Sequence, residues 1–232
     1  MNRHHLIYLQ PNDTFSLLDS SLTTSVQQKV QQMIQQNLPF TVCRQDTEAY
    51  FKVAANCLVQ GQKFRVALGL KCTPQVSQQP PLLSSILDML DLPIQHTLQQ
   101  FIQHMQTLSC SVHVYGSYAC QYLYQDQFIH AQSDLDLLLE LKDMQTLALV
   151  IQALAQLKTQ LPIRIDGELA LLHGQNISFN ELLFALDQQQ DSIIVKELYA
   201  IKLQSLAELF AGSLYAIQQY HHSPRSSTNT TY

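Results

Sequence analysis

Residues 115–141 read "YGSYACQYLYQDQFIHAQSDLDLLLEL". The stretch joins a Gly-Ser pair, Gly116 and Ser117, to two aspartates, Asp134 and Asp136, set one residue apart in an apolar run. Side chains alternate along a strand, so Asp134 and Asp136 project one way while Leu135 and Leu137 project into the core. Two carboxylates crowded into one small volume repel each other unless a cation or a proton lies between them. Oxygen-only donors at this density suit Mg2+, with Mn2+ as a substitute, and Mg2+ commonly links one or two carboxylates to substrate phosphates. Glycine lets the backbone approach a phosphate closely. The N–H groups that open the following helix, together with the Ser117 hydroxyl, suit an anion. Each feature alone is weak, because a single D-x-D is more often an exposed edge and a Gly-Ser pair more often an ordinary loop. Their order and spacing together predict a phosphoryl- or nucleotidyl-transfer site.

Outward from this stretch, the pattern alternates between strand and helix. "SVHVYGS" reads as the strand that ends in Gly116-Ser117, a short helix follows from about Tyr118 to Tyr124, and "SDLDLLLEL" is the next strand. "MQTLALVIQALAQL" is an amphipathic helix. "IRIDGELALLH" is a strand or hairpin with Asp166-Gly167 as a turn signal. Ser178 stands three residues before Glu181, a capping-box spacing that predicts a helix start, and "SIIVKEL" reads as a late strand. Before the Gly-Ser strand, "LLSSILDML" and "IQHTLQQFIQHMQTL" predict two helices separated at Leu92-Pro93. Nearer the amino terminus, strands are expected at "HLIYL", "PFTVCRQ" and "KFRVALGL", with a helix at "VQQKVQQMIQQN". In "KFRVALGL" the alternation buries Phe64, Val66 and Leu68 and points Arg65 the other way.

A chain of 232 residues, 46% hydrophobic and 13% charged, can bury a full core. The expected fold class is α+β, a mixed sheet flanked by helices with a smaller amino-terminal α/β lobe. The segment "TPQVSQQPP" at 73–81 is the linker candidate, which gives an amino-terminal lobe over 1–75 and a catalytic domain over 82–220. The polar residues 221–232 read as a disordered tail. A net charge of −5 argues against broad nucleic-acid binding. No run approaches a membrane span and no signal core is visible, so the expected location is cytoplasmic. The five scattered cysteines, Cys43, Cys57, Cys72, Cys110 and Cys120, suggest buried reduced thiols rather than disulfides or zinc.

The strand, Gly-Ser, helix, Asp-apolar-Asp order resembles the nucleotidyltransferase superfamily of DNA polymerase beta type. That resemblance implies a third carboxylate from a later strand, here Asp166, with Glu168 as the alternative. More closely, "VYGSYACQYLYQDQFIHAQSDLDLLLEL", "IDGELALLHGQNISFNELL" and "SIIVKEL", with "RHHLIYL" and "FRVALGL", resemble the phosphoribosyl-dephospho-CoA transferase family of malonate decarboxylase, also called holo-acyl-carrier-protein synthase. The resemblance runs from about Arg3 to about Phe210. Where family members often have a tryptophan near the Gly-Ser helix, this chain has Cys120.

The resemblance implies transfer of the phosphoribosyl-dephospho-CoA prosthetic group from 2'-(5''-triphosphoribosyl)-3'-dephospho-CoA to a serine of the malonate decarboxylase acyl carrier protein, with release of diphosphate. It implies Asp134, Asp136 and Asp166 as catalytic and metal-binding residues, with Asp166 either a ligand or a general base. Gly116, Ser117, Ser133 and Lys196 are then substrate-binding residues. Other readings are an ATP-using nucleotidyltransferase, the citrate lyase carrier as acceptor, and an inactive binding module. The last has little reason to keep clustered carboxylates that repel one another. Arg44, Lys63, Arg65 and Lys71 form a loose basic group for an acidic carrier or the CoA-like end of the donor, although each alone reads as surface charge. His4, His5 and His113 lack ligand spacing and read as structural. Tyr115, Tyr118, Tyr122 and Tyr124 read as core packing before base stacking.

Overall fold

The computed structural model describes residues 1–47 and 49–210. The expected tail at 221–232 and the last ten residues of the expected catalytic domain lie outside the described residues.

The amino-terminal part is a five-stranded antiparallel sheet with one helix. Its strands are β1 (Leu6–Tyr8), β2 (Phe15–Leu17), β3 (Pro39–Val42), β4 (Phe51–Val59) and β5 (Gln62–Leu70), in the order β1-β3-β4-β5-β2. Helix α1 (Thr24–Gln35) presents Val26, Val30, Met33 and Ile34 at the i, i+4, i+7, i+8 spacing of an apolar stripe. These four pack with Ile7, Phe40, Val42, Val53, Ala55, Val66 and Leu68 in one core. The sheet register shows which residues share the other face. Thr41 pairs with Ala54 and Asn56 with Arg65, while Lys63 stands opposite Leu58. Being out of phase with the core residues by one, Lys63 and Arg65 turn away from α1.

The second part is a six-stranded mixed sheet. Helix α2 (Leu92–Thr107) leads into β6 (Cys110–Tyr115), followed by α3 (Gly116–Tyr124), β7 (Leu135–Leu141), α4 (Leu147–Gln160), β8 (Ile165–Ala170), β9 (Asn176–Ser178), α5 (Phe179–Asp187), β10 (Ser192–Lys196), β11 (Ile201–Ser205) and the single turn α6 (Leu206–Leu209). The strand order is β11-β10-β9-β8-β7-β6, with β7 and β8 parallel and all other pairs antiparallel. The α4 crossover is what a parallel pair requires. Leu135, Leu137, Leu139 and Leu141 join Leu98, Phe101, Met105, Val150, Leu154 and Leu182 in a second core, so the helices cover one face of this sheet. The fold class is α+β, as the sequence predicts.

The first of the two expected helices, at Leu83–Met89, is a 3-10 helix. Asp166-Gly167 is no turn but lies inside β8. The Gly167 backbone passes so close to β7 that a Cβ there would stand 1.9 Å from the Leu137 carbonyl oxygen, and its φ of +148 is open to glycine. Strands β2, β4, β9 and β11 have no counterpart among the elements read from the sequence.

The segment 73–81 is tied to both sheets. Leu6 and Gln78 exchange backbone hydrogen bonds of 2.8 Å, the Val114 N–H donates to the Pro81 carbonyl at 2.8 Å, and Gln79 donates to Glu140 at 2.8 Å. The buried ring of His113 completes the join through Nδ1, 2.8 Å from the Pro80 carbonyl oxygen.

Candidate active site

Three strands set one row of side chains across the face of the mixed sheet opposite its helices. Tyr115 on β6 pairs with Asp136 on β7, and Asp136 pairs with Asp166 on β8. The parallel β7–β8 register therefore brings two carboxylates side by side, although 30 residues separate them in sequence. Gly116 follows Tyr115 with φ +65, and a Cβ at this position would stand 1.9 Å from Asp136 Oδ2. A residue with a side chain would collide with the carboxylate and strain the backbone as well. Ser117, in the first turn of α3, accepts a hydrogen bond from Lys63 Nζ at 2.9 Å.

Burial raises the Asp136 carboxyl to about 7, and the negative fields of Asp166 and then Asp134 add to it. This is the repulsion expected of clustered carboxylates, with a proton filling the role of a cation. Asp166 is exposed and accepts from its neighbour's Gly167 N–H at 2.7 Å and from Asn180 Nδ2 at 2.8 Å, both through Oδ1. Asp134 stands just before β7 and accepts from Nε and Nη2 of the Arg164 guanidinium, whose hydrogen bond holds its carboxyl below the usual range. Ser133 lies in the turn before it, where its hydroxyl accepts from the His130 N–H at 2.9 Å.

No group of three His, Cys, Asp or Glu side chains among the described residues is gathered tightly enough to form a ready-made metal site. Asp134 is turned toward Arg164 instead. The donor chemistry nevertheless fits a hard divalent cation, since all three carboxylates offer oxygen and the raised Asp136 pKa marks a charge imbalance that such a cation would relieve.

Glu168, the alternative third carboxylate, has a different setting. It is buried, accepts from both terminal nitrogens of Arg3 at 3.2 Å, from Lys196 Nζ at 2.9 Å and from Asn176 Nδ2 at 3.2 Å, and lies 3.0 Å from His4 Nε2. Burial alone would push its carboxyl up, but the His4 hydrogen bond and the charges of His4, Arg3 and Lys196 outweigh it and hold the group well below the ordinary range. Lys196, expected at a phosphate, is thus committed to a buried carboxylate. His4 also lies against Tyr115, ring centroids 4.2 Å apart. No local signal reveals this network, because Arg3 and Glu168 are 165 residues apart.

A pocket of about 360 Å³ opens beside the row, between the free face of the amino-terminal sheet and the β6–α3 corner. Asp136, Gly116 and Ser117 border it on one side, and Thr41, Asn56, Lys63 and Arg65 on the other. Arg44 and Lys71, the rest of the loose basic group, do not line it. Cys120, which does, has a thiol pushed up to about 12 by burial, which marks it as packing rather than a nucleophile. Tyr124 spends its hydroxyl on the Pro39 carbonyl at 2.9 Å. The sequence pattern marks Lys63 and Arg65 as outward-pointing but carries no sign that they face the carboxylates.

Among the described residues no helix is long and apolar enough to cross a membrane. No solved structure matches the chain. Two curated proteins do, both named phosphoribosyl-dephospho-CoA transferase. The one from Xanthomonas axonopodis pv. citri (strain 306) is 27% identical over 212 residues, covering 90% of this chain and 96% of the relative. That from Xanthomonas euvesicatoria pv. vesicatoria (strain 85-10) is 26% identical with the same coverage. The model of the phosphoribosyl-dephospho-CoA transferase MdcG C-terminal domain matches residues 82–207, which hold the Gly-Ser corner and all the candidate carboxylates. With more than half of its length matched by that model, the chain belongs to the MdcG family of phosphoribosyl-dephospho-CoA transferases.

Proposed function

We propose that this transferase, on a fold of nucleotidyltransferase type, moves the phosphoribosyl-dephospho-CoA group from 2'-(5''-triphosphoribosyl)-3'-dephospho-CoA to a serine of the malonate decarboxylase acyl carrier protein. The observation that supports this reading best is the in-register pair Asp136 and Asp166 beside the Gly116-Ser117 corner. In the reaction the serine Oγ attacks the α phosphorus and forms a new P–O bond. The bond from that phosphorus to its bridging oxygen breaks, and diphosphate leaves with the electron pair. Gly116 and Ser117 hold a phosphate at the helix start. Asp166, whose two hydrogen bonds both fall on Oδ1, offers Oδ2 to the departing serine proton. Mg2+ held by Asp134 and Asp136 would supply neutralisation of the charge that develops on the phosphates.

Intact-mass spectrometry of the apo carrier protein tests the proposal, after incubation with enzyme, Mg2+ and the triphosphoribosyl donor. The expected result is a mass gain of one phosphoribosyl-dephospho-CoA group, lost with Asp136→Asn by about 10²-fold or more in rate. A parallel reaction with ATP that gives an AMP adduct while the donor gives none would overturn the donor assignment. Faster modification of the citrate lyase carrier would overturn the acceptor.

A further inference from the structure

The pocket beside the carboxylates has two walls from different parts of the chain, and only the wall from the mixed sheet is explained by the chemistry above. The other wall comes from the amino-terminal sheet. Its outer face carries Thr41, Asn56, Lys63 and Arg65, out of phase with the residues that pack on α1. Two adjacent odd positions of β5 thus place cations over an acidic site. Lys63 Nζ reaches Ser117 Oγ at 2.9 Å, and the positive field of Lys63 falls on Asp136. Among the described residues Arg65 reaches the Cys43 sulfur, at 3.6 Å. Neither cation forms an ion pair with a carboxylate among the described residues. Arg3, Lys29, Lys52, Arg164, Lys196 and Lys202 are paired, and the other described cations in no ion pair, Arg44, Lys71, Lys142 and Lys158, do not line this pocket.

We propose that Lys63 and Arg65 form the polyphosphate subsite of the donor, so that the active site is completed across the two sheets. The subsite takes a triphosphate ester. Lys63, beside Ser117, meets the phosphates that depart as diphosphate, and the forked guanidinium of Arg65 meets the phosphate nearer the ribose, where bidentate contact favours Arg over Lys. The carboxylates face the reacting phosphorus from the opposite wall. This division accounts for a feature the mixed sheet leaves open. The mixed sheet's Arg164 and Lys196 are paired with Asp134 and Glu168, and Lys158, which reaches Asn180, does not line the pocket, so among the described residues Lys63 and Arg65 are the lysine and arginine side chains that border it.

The inference rests on the transferase reading for the identity of the donor, but the subsite can be measured without turnover. Isothermal titration of the metal-free protein with inorganic tripolyphosphate reads the subsite without metal or turnover. The expected result is a Kd raised at least about 10-fold by Lys63→Ala or by Arg65→Ala, with Lys63→Arg retaining most of the affinity. Asp136→Asn should bind tripolyphosphate as well as the wild type or more tightly. In turnover, Arg65→Ala should raise the donor KM, while Lys63→Ala should also lower kcat, because its partner charge grows in the transition state. Thermal melts within about 2 °C of wild type for both alanine variants would exclude a merely structural role. Unchanged tripolyphosphate affinity in both variants would overturn the subsite even with transfer intact. Cation-dependent tripolyphosphate binding in a protein that makes no adduct would keep the subsite and sink the donor assignment instead.

Discussion

Replacing Glu168 with glutamine tests whether its buried network holds the two sheets together. The side chain of Glu168 is 5% exposed, those of Arg3 and Lys196 are 17% and 30% exposed, and all meet within 3.2 Å. Removing one partner of a buried ion pair typically costs about 3–5 kcal/mol, because the remaining charges stay desolvated and unpaired. Arg3 and Lys196 keep part of their water here and glutamine keeps one accepting oxygen, so a loss of about 2–3 kcal/mol is expected. For a chain of this size that is a fall of roughly 4–12 °C in Tm. Urea unfolding followed by far-UV circular dichroism measures it, since the chain has no tryptophan. The pH dependence gives a second check. A carboxyl whose folded pKa lies below its ordinary 4.5 contributes stability that is full above that value and is lost as pH falls through the folded pKa. The gap between wild type and Glu168→Gln should therefore be complete at pH 7 and shrink below about pH 4.5. A gap under about 1 kcal/mol at pH 7, or one that widens in acid, would refute the reasoning.

Two further predictions concern the carboxylate row. Asp136 has the opposite linkage: its folded pKa of about 7 lies above the ordinary 3.8, so in metal-free protein stability falls as pH rises from about 4 to 7. Asp136→Asn should remove that slope, and added Mg2+ should raise the Tm of the wild type at pH 8 but not of the variant; thermal melts in chelator and in Mg2+ check both. Gly116→Ala would put a methyl group into Asp136 Oδ2 and hold a non-glycine residue at positive φ. Turnover should drop about 100-fold through the displaced carboxylate with a stability loss of about 1–2 kcal/mol, and normal kcat in a folded variant would count against the close approach.

The parts of the fold legible in the sequence are those in which one period dominates. In β7, Leu135, Leu137, Leu139 and Leu141 alternate with Asp136 and Glu140, broken only at Leu138, and α1 shows its apolar stripe between glutamines. Ser178 caps α5 by accepting from the Glu181 N–H, as the capping-box spacing predicts. Strand β4 escapes because "FKVAANCLV" mixes Ala54, Ala55 and Asn56 into both faces and shows no alternation that periodicity can read. The three-residue strands β2 and β9 are too short to carry a pattern. Asp166-Gly167 misleads for a physical reason, since the same dipeptide that favours a turn also permits close strand packing. At the site, the carboxylates and the Gly-Ser corner announce themselves locally. The committed Lys196, the Arg3–His4 anchor and the inward-facing Lys63 do not, because each depends on a tertiary partner at least 28 residues away.

The join at 73–81 also bears on how such chains can be cut and recombined. A boundary drawn at residue 82, where the family match begins, falls in a segment hydrogen-bonded to both sheets. A fragment starting there would carry Glu168 in its interior without Arg3 or His4, and His113 without the Pro80 carbonyl. Homology units and folding units need not coincide, and here the seam between them runs through a segment hydrogen-bonded to both sheets. Exchanging amino-terminal lobes between relatives would therefore succeed only if the first few residues and the connecting segment travel with the lobe as one piece.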